Sequence, residues 1–128
     1  MQAPRRGFFG KTLLLCHSER SEESFIFISS IKNNMATIFS KIISGEIPCY
    51  KVAETDEFLA FLDINPNTKG HTLCIPKKEV NKLLDLDEET YNGLMSFSRK
   101  VGLAIRKTID CERIGMTVIG LEVPHVHV

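Results

Sequence analysis

Apolar positions change their period several times along the chain, and each change marks an element. From Thr37 to Glu46 they recur at helical spacing, with Ile38, Phe39, Ile42 and Ile43 on one stripe and Gly45 offering a stop. This predicts a short amphipathic helix, with Pro48 closing the loop after it. Cys49 to Glu54 and Phe58 to Leu62 read as two strands of a hairpin, joined by a polar turn through Thr55, Asp56 and Glu57. The stretch from Asp63 to Gly70 is dense in turn formers. His71 to Pro76 follows as a third strand, and the proline ends its ladder pairing. Glu79 to Leu84 predicts a short helical turn. Asp87 suits the N-cap of a long helix reaching about Ile109, with Glu88 and Glu89 at the positive end of its dipole. Tyr91, Leu94, Met95, Val101, Ile105 and Ile109 form its apolar stripe. Arg113 to Ile119 is a fourth strand, and Gly120 turns the chain into a final strand from Val123.

Strands reached through hairpins, without alternating βαβ units, argue for an α+β fold with a mainly antiparallel sheet. The expectation is five strands, covered on one face by the long helix, with the short N-terminal helix beside them. At 128 residues the chain suits one domain with a real core. Residues 1–34 differ from the rest. Arg5 and Arg6 superficially resemble a twin-arginine export signal. However, the apolar run from Leu13 to Cys16 is too short and gives way at once to charge, and Leu15 does not suit a lipoprotein cysteine. The string CHSERSEES resembles translated intergenic repeats, so Met35 is the expected start and 35–128 the expected domain.

Sixteen basic residues balance sixteen acidic ones, so no global field draws nucleic acid or an acidic membrane surface. Arg99, Lys100, Arg106 and Lys107 lack interleaved aromatic residues and read as solvated charges. No apolar run approaches the roughly 20 residues that span a bilayer. Cys16, Cys49, Cys74 and Cys111 are widely spaced, with no CxxC pair. They read as reduced thiols of a cytoplasmic protein, most of them packed as small apolar side chains.

Chemistry concentrates at the end of the chain, in Val123, Pro124, His125, Val126, His127 and Val128. Histidines at i and i+2, each followed by valine, put both imidazoles on one face of a strand and both valines on the other. The rings then lie roughly 6.6 Å apart, a span that suits one phosphate-sized group or one metal ion. Three chemistries fit: a nucleophile toward phosphorus, an acid–base pair, or metal ligation. A metal needs three or four ligands, and His71, Cys111 or Glu122 stands at no diagnostic spacing to complete the set. Phosphoryl chemistry needs less: one ring aimed at phosphorus, a second on its oxygens and backbone donors for developing charge. Gly120 permits close backbone approach to a phosphate, or is only a hairpin glycine. Asp63 after its strand could hold a ribose diol, though on pattern alone it is better read as a turn-initiating residue. Phe39, Ile42 and Ile64 could form a slot for a base, though on pattern alone they read as core. His17 reads as structural.

Taken together, IFSKIISGEIPCYKVAETDEFLAFLDINPNTKGHTLCIPKK, the long helix and the closing VPHVHV closely resemble the histidine triad (HIT) superfamily in its Hint-like nucleotide-binding branch. The resemblance runs over essentially all of residues 35–128. It implies a homodimer acting on purine nucleotides or nucleoside phosphoramidates at the α-phosphate, without a metal or other cofactor. His127 would be the nucleophile that forms a nucleotidyl-histidine. His125 would orient it, and His71 would support the network. Asp63 would hold the ribose hydroxyls, Phe39, Ile42 and Ile64 would surround the base, and backbone at Gly120 would face the phosphate.

Two departures qualify this. Many relatives carry Asn, Gln or Ser before the motif, where this chain has Ile119, Gly120, Leu121 and Glu122. An ionised Glu122 close to a phosphate would repel it. The next position on the histidine face would follow Val128, where the sequence stops, so the resemblance also implies a copy truncated within its motif and impaired by loss of the third histidine. The alternatives are a non-catalytic nucleotide-binding or regulatory protein, and a small metalloprotein using His125 and His127.

Overall fold

A computed structural model describes residues 36–128. The expectations for residues 1–34, with Cys16 and His17 among them, lie outside the described residues. Thr37 opens the first helix, α1 (Ile38–Ser44), from an extended backbone, and its Oγ1 accepts the Ser40 N–H at 3.1 Å. Gly45, at φ 84°, closes it in the left-handed conformation that favours glycine.

Three strands follow: β1 (Lys51–Glu54), β2 (Phe58–Leu62) and β3 (Thr72–Pro76). They form one antiparallel sheet in the order β1-β2-β3. The β1–β2 turn is held by Thr55, whose N–H reaches the Phe58 carbonyl at 2.8 Å while its Oγ1 accepts the Phe58 N–H at 3.0 Å. The sequence FLAFL has no polar alternation because β2 is central and buried on both faces. Phe58 and Ala60 pack with Cys74, Leu94, Phe97, Val101 and Val126 on one side. Leu59 and Phe61 pack with Ile75 and Phe39 on the other. The sheet therefore has the long helix over one face and α1 over the opposite one.

That long helix, α2 (Glu88–Thr108), starts as expected at Asp87, whose Oδ1 accepts the Thr90 N–H at 2.8 Å. Its buried side is Leu94, Phe97, Ser98 and Val101. Phe97 was absent from the expected stripe, yet it lies three residues from Leu94 on the same face and stacks on Phe58 with ring centroids 5.6 Å apart. Tyr91, expected to be buried, is exposed. The turn expected at Glu79–Leu84 is a single 3-10 turn at Leu83–Asp85.

The sheet has three strands among the described residues, not five. Residues 111–128 contain no regular strand. Strand propensity is realised only against a partner edge, and among the described residues the stretch from Arg113 to Ile119 makes no backbone hydrogen bond with one. The final residues come closer to pairing. Val128 exchanges both backbone hydrogen bonds with Cys74 at 2.9 Å, and the Val126 N–H reaches the Val80 carbonyl at 2.8 Å, so the segment lies against the edge of β3 that faces away from β2. Cys74 is buried as expected, Cys49 is half-buried and Cys111 is exposed; all three are free thiols. Among the described residues, no helix is long and apolar enough to cross a membrane.

Candidate functional site

The docking of residues 125–128 on β3 separates their side chains by face. Val126, 1% exposed, enters the cluster under α2, and Val128 packs against it. The rings of His125 and His127 turn to the other side, and both meet Phe39 of α1 edge-on, at centroid distances of 5.8 and 5.4 Å. Phe39 itself packs edge-on against Phe61 at 5.6 Å. One aromatic ring thus belongs to the core and to the histidine pair together.

Hydrogen bonds assign the tautomers. His125 is wholly buried, and its Nε2 lies 2.8 Å from the Pro76 carbonyl oxygen. A carbonyl only accepts, so Nε2 carries the proton. Burial, above all, pushes the His125 pKa below its usual 6.5, with His127 adding to the effect while the Pro76 carbonyl and Glu79 oppose it. The Nδ1 of His127 lies 2.9 Å from the His125 carbonyl oxygen, so in the neutral ring Nδ1 is the donor and Nε2 keeps the lone pair. Gly120, at φ 65°, brings its backbone beside that ring: a Cβ built there would lie 3.8 Å from His127 Cε1. Space alone would admit a methyl group, and the left-handed backbone is what favours glycine.

Asp63 and His71 form a second group. Asp63 Oδ1 accepts the Asn65 N–H at 2.9 Å, which is the turn the sequence suggested. Its Oδ2 lies 3.4 Å from His71 Nδ1, and because that nitrogen accepts the Asn67 N–H at 3.2 Å the neutral ring has no proton there to give the carboxylate. Ile42 packs against the cluster that holds Phe39, whereas Ile64 is 76% exposed. No hydrogen bond or ring contact joins the Asp63–His71 group to the His125–His127 group among the described residues. Glu122 is exposed. Among the described residues, no three His, Cys, Asp or Glu side chains come together as metal ligands would.

Sequence reasoning passed over Thr37. Its Oγ1 lies 3.5 Å from His125 Nδ1. The only local signal is a threonine at the start of an apolar helical stripe, which says N-cap and nothing about a residue 88 positions away.

Residues 44–128 match the family model of the HIT domain. The chain belongs to the HIT domain family. It is 48% identical over 71 residues to the adenosine 5'-monophosphoramidase hnt1 of Schizosaccharomyces pombe, an alignment that covers 56% of this chain and 53% of that protein. The chain thus spans about half the length of that curated relative. An uncharacterized HIT-like protein of Borreliella burgdorferi is 40% identical over 97 residues, covering 70% of each chain. Among solved structures, a HIT-like protein from Bartonella henselae involved in cell-cycle regulation superposes with a TM-score of 0.68 at 38% identity, covering 71% of this chain and 74% of that one. In this chain the terminal histidine segment lies beside β3, with both imidazoles against Phe39.

Proposed function

We propose that this HIT-domain chain is a nucleotide hydrolase or transferase acting at the α-phosphate of nucleoside phosphoramidates, with His127 Nε2 as the nucleophile. The observation that carries the reading is the 2.9 Å contact of His127 Nδ1 with the His125 carbonyl, which leaves an in-plane lone pair on Nε2. A ring held in this way needs no deprotonation before it attacks. The phosphoramidase name of the fission-yeast relative points to the same substrate class.

In the first step Nε2 bonds to the α-phosphorus as the bond to the leaving amine breaks. The amine departs with a proton from solvent, and Nε2 carries the nucleotidyl group. In the second, water attacks the phosphorus and gives a proton back to solvent, the P–Nε2 bond breaks, and the nucleoside monophosphate leaves with the lone pair restored to Nε2. Backbone at Gly120 beside the ring faces the phosphoryl oxygens. Exposed Ile64, with Phe39 and Ile42, receives the base, and Asp63 at its turn receives the ribose hydroxyls. The family resemblance adds a homodimeric, cytoplasmic protein, and light scattering of the purified chain tests the first of these.

The deciding assay follows adenosine phosphoramidate and AMP by chromatography. His127→Ala should abolish turnover and leave AMP affinity within a few-fold, since the ring contributes chemistry more than binding. Unchanged turnover in that variant would end the proposal. AMP binding by the parent chain without turnover would favour a nucleotide-binding protein with no catalytic step.

A further inference from the structure

We infer that Thr37, the N-cap of α1, is a positioning residue whose hydroxyl donates to Nδ1 of the buried His125 and holds that ring in its Nε2–H tautomer. The catalytic consequence rests on the function proposed above; the hydrogen-bond assignment does not.

The inference comes from accounting for protons. Nε2–H of His125 is committed to the Pro76 carbonyl at 2.8 Å, so in the neutral ring Nδ1 must accept. His125 has no exposed surface. Every fully buried side-chain nitrogen or oxygen among the described residues has a partner, and for Nδ1 that partner is Thr37 Oγ1 at 3.5 Å, a long bond. Thr37 Oγ1 already accepts the Ser40 N–H at 3.1 Å and lies 3.0 Å from Ser40 Oγ. Were Thr37 to give its proton to Ser40, Nδ1 would be left bare in a dry interior. The arrangement that satisfies all four groups runs from Ser40 Oγ–H to Thr37 Oγ, from Thr37 O–H to His125 Nδ1, and from His125 Nε2–H to Pro76.

This relay matters because His125 serves His127 through its backbone. The carbonyl that takes the His127 Nδ1 proton belongs to the residue whose ring Thr37 and Pro76 grip from two sides. Without the hydroxyl, the ring must turn or take up a second proton. The charged or titratable neighbours that would then bear on it are Glu79, which favours the proton, and His127, which opposes it. Either change moves the His125 carbonyl and loosens the tautomer of His127.

A helix cap and a relay can be separated by three substitutions. Thr37→Ser keeps both roles. Thr37→Asp keeps the cap, since a carboxylate accepts the Ser40 N–H at least as well, but has no proton to give and instead favours a doubly protonated His125. Thr37→Val keeps the shape and loses both. Imidazole 15N spectra should show His125 as the Nε2–H tautomer in the parent chain and in Thr37→Ser, and a displaced His125 Nδ1 signal in Thr37→Asp and Thr37→Val. With adenosine phosphoramidate, kcat should fall about tenfold in the last two, the scale of one lost buried hydrogen bond, with KM little changed. Parent-like His125 signals and kcat in Thr37→Asp would reduce Thr37 to a helix cap and overturn the inference. If the spectra shift as described but the parent chain turns over no phosphoramidate, the functional reading fails and the catalytic consequence with it, while the Thr37–His125 bond stands on the spectra.

Discussion

The Nδ1 proton of His127 is committed to the backbone carbonyl of His125, 2.9 Å away. A backbone partner cannot itself titrate, so this tautomer persists as long as the His125 carbonyl keeps its place. In the pH range where both rings are neutral, imidazole 15N–13C correlation should therefore find opposite tautomers two residues apart: Nδ1–H at His127 and Nε2–H at His125. An Nε2–H signal from His127 would remove the free lone pair on which the proposed chemistry depends.

Burial of His125 couples stability to pH. Its folded pKa lies below the unfolded 6.5, so below 6.5 the unfolded chain binds more protons than the folded one. The contribution is fully present above pH 6.5, is lost as pH falls, and levels off once the folded pKa is passed. The slope from this one group is at most about 1.4 kcal/mol per pH unit. Urea unfolding between pH 7.5 and pH 5 should show this loss in the parent chain, and a shallower slope in His125→Gln. Parallel slopes would mean that His125 is not held neutral.

Two glycines of α2 should respond in opposite directions to alanine. A Cβ on Gly93 would lie 2.7 Å from Phe58 Cζ, within the stacked Phe58–Phe97 pair. Overpacking of this kind costs about 1–3 kcal/mol, more than the roughly 1 kcal/mol gained in helix propensity. At Gly102 the nearest atom is Ile114 Cγ2 at 3.5 Å, an ordinary contact. Denaturant midpoints should fall for Gly93→Ala and rise slightly for Gly102→Ala. The reverse order would contradict the packing of α2 on Phe58.

Thiol reactivity should follow exposure. Cys111 is exposed, whereas Cys74 is buried and its pKa is raised by that burial, with only a partial offset from Ser98. Iodoacetamide labelling of the native chain, read by peptide mass spectrometry, should modify Cys111 well before Cys74. Equal rates would mean that the β3–α2 interface opens readily.

Much of the fold was legible because its signals are local. The N-cap at Asp87, the stop at Gly45, the extent of β2 and the antiparallel hairpin each depend on residues a few positions apart. The miss at Phe97 came from reading a stripe without its counterpart, Phe58 on the sheet. The two expected strands after α2 failed for a different reason. Arg113–Ile119 has the composition of a strand but pairs with no edge among the described residues, and the histidine segment meets β3 through one residue pair.

What the sequence determined by itself was the set of chemical groups and their faces: two imidazoles at i and i+2, valines between and after them, and an aromatic residue in the first helix. Only the tertiary structure decided which nitrogen of His125 carries the proton, because the groups that assign it come from β3 and from the cap of α1. Side-chain alternation repeats every two residues and can be read along a chain. The tautomer of His125 depends on hydrogen bonds to residues 49 and 88 positions away, which no local spacing announces.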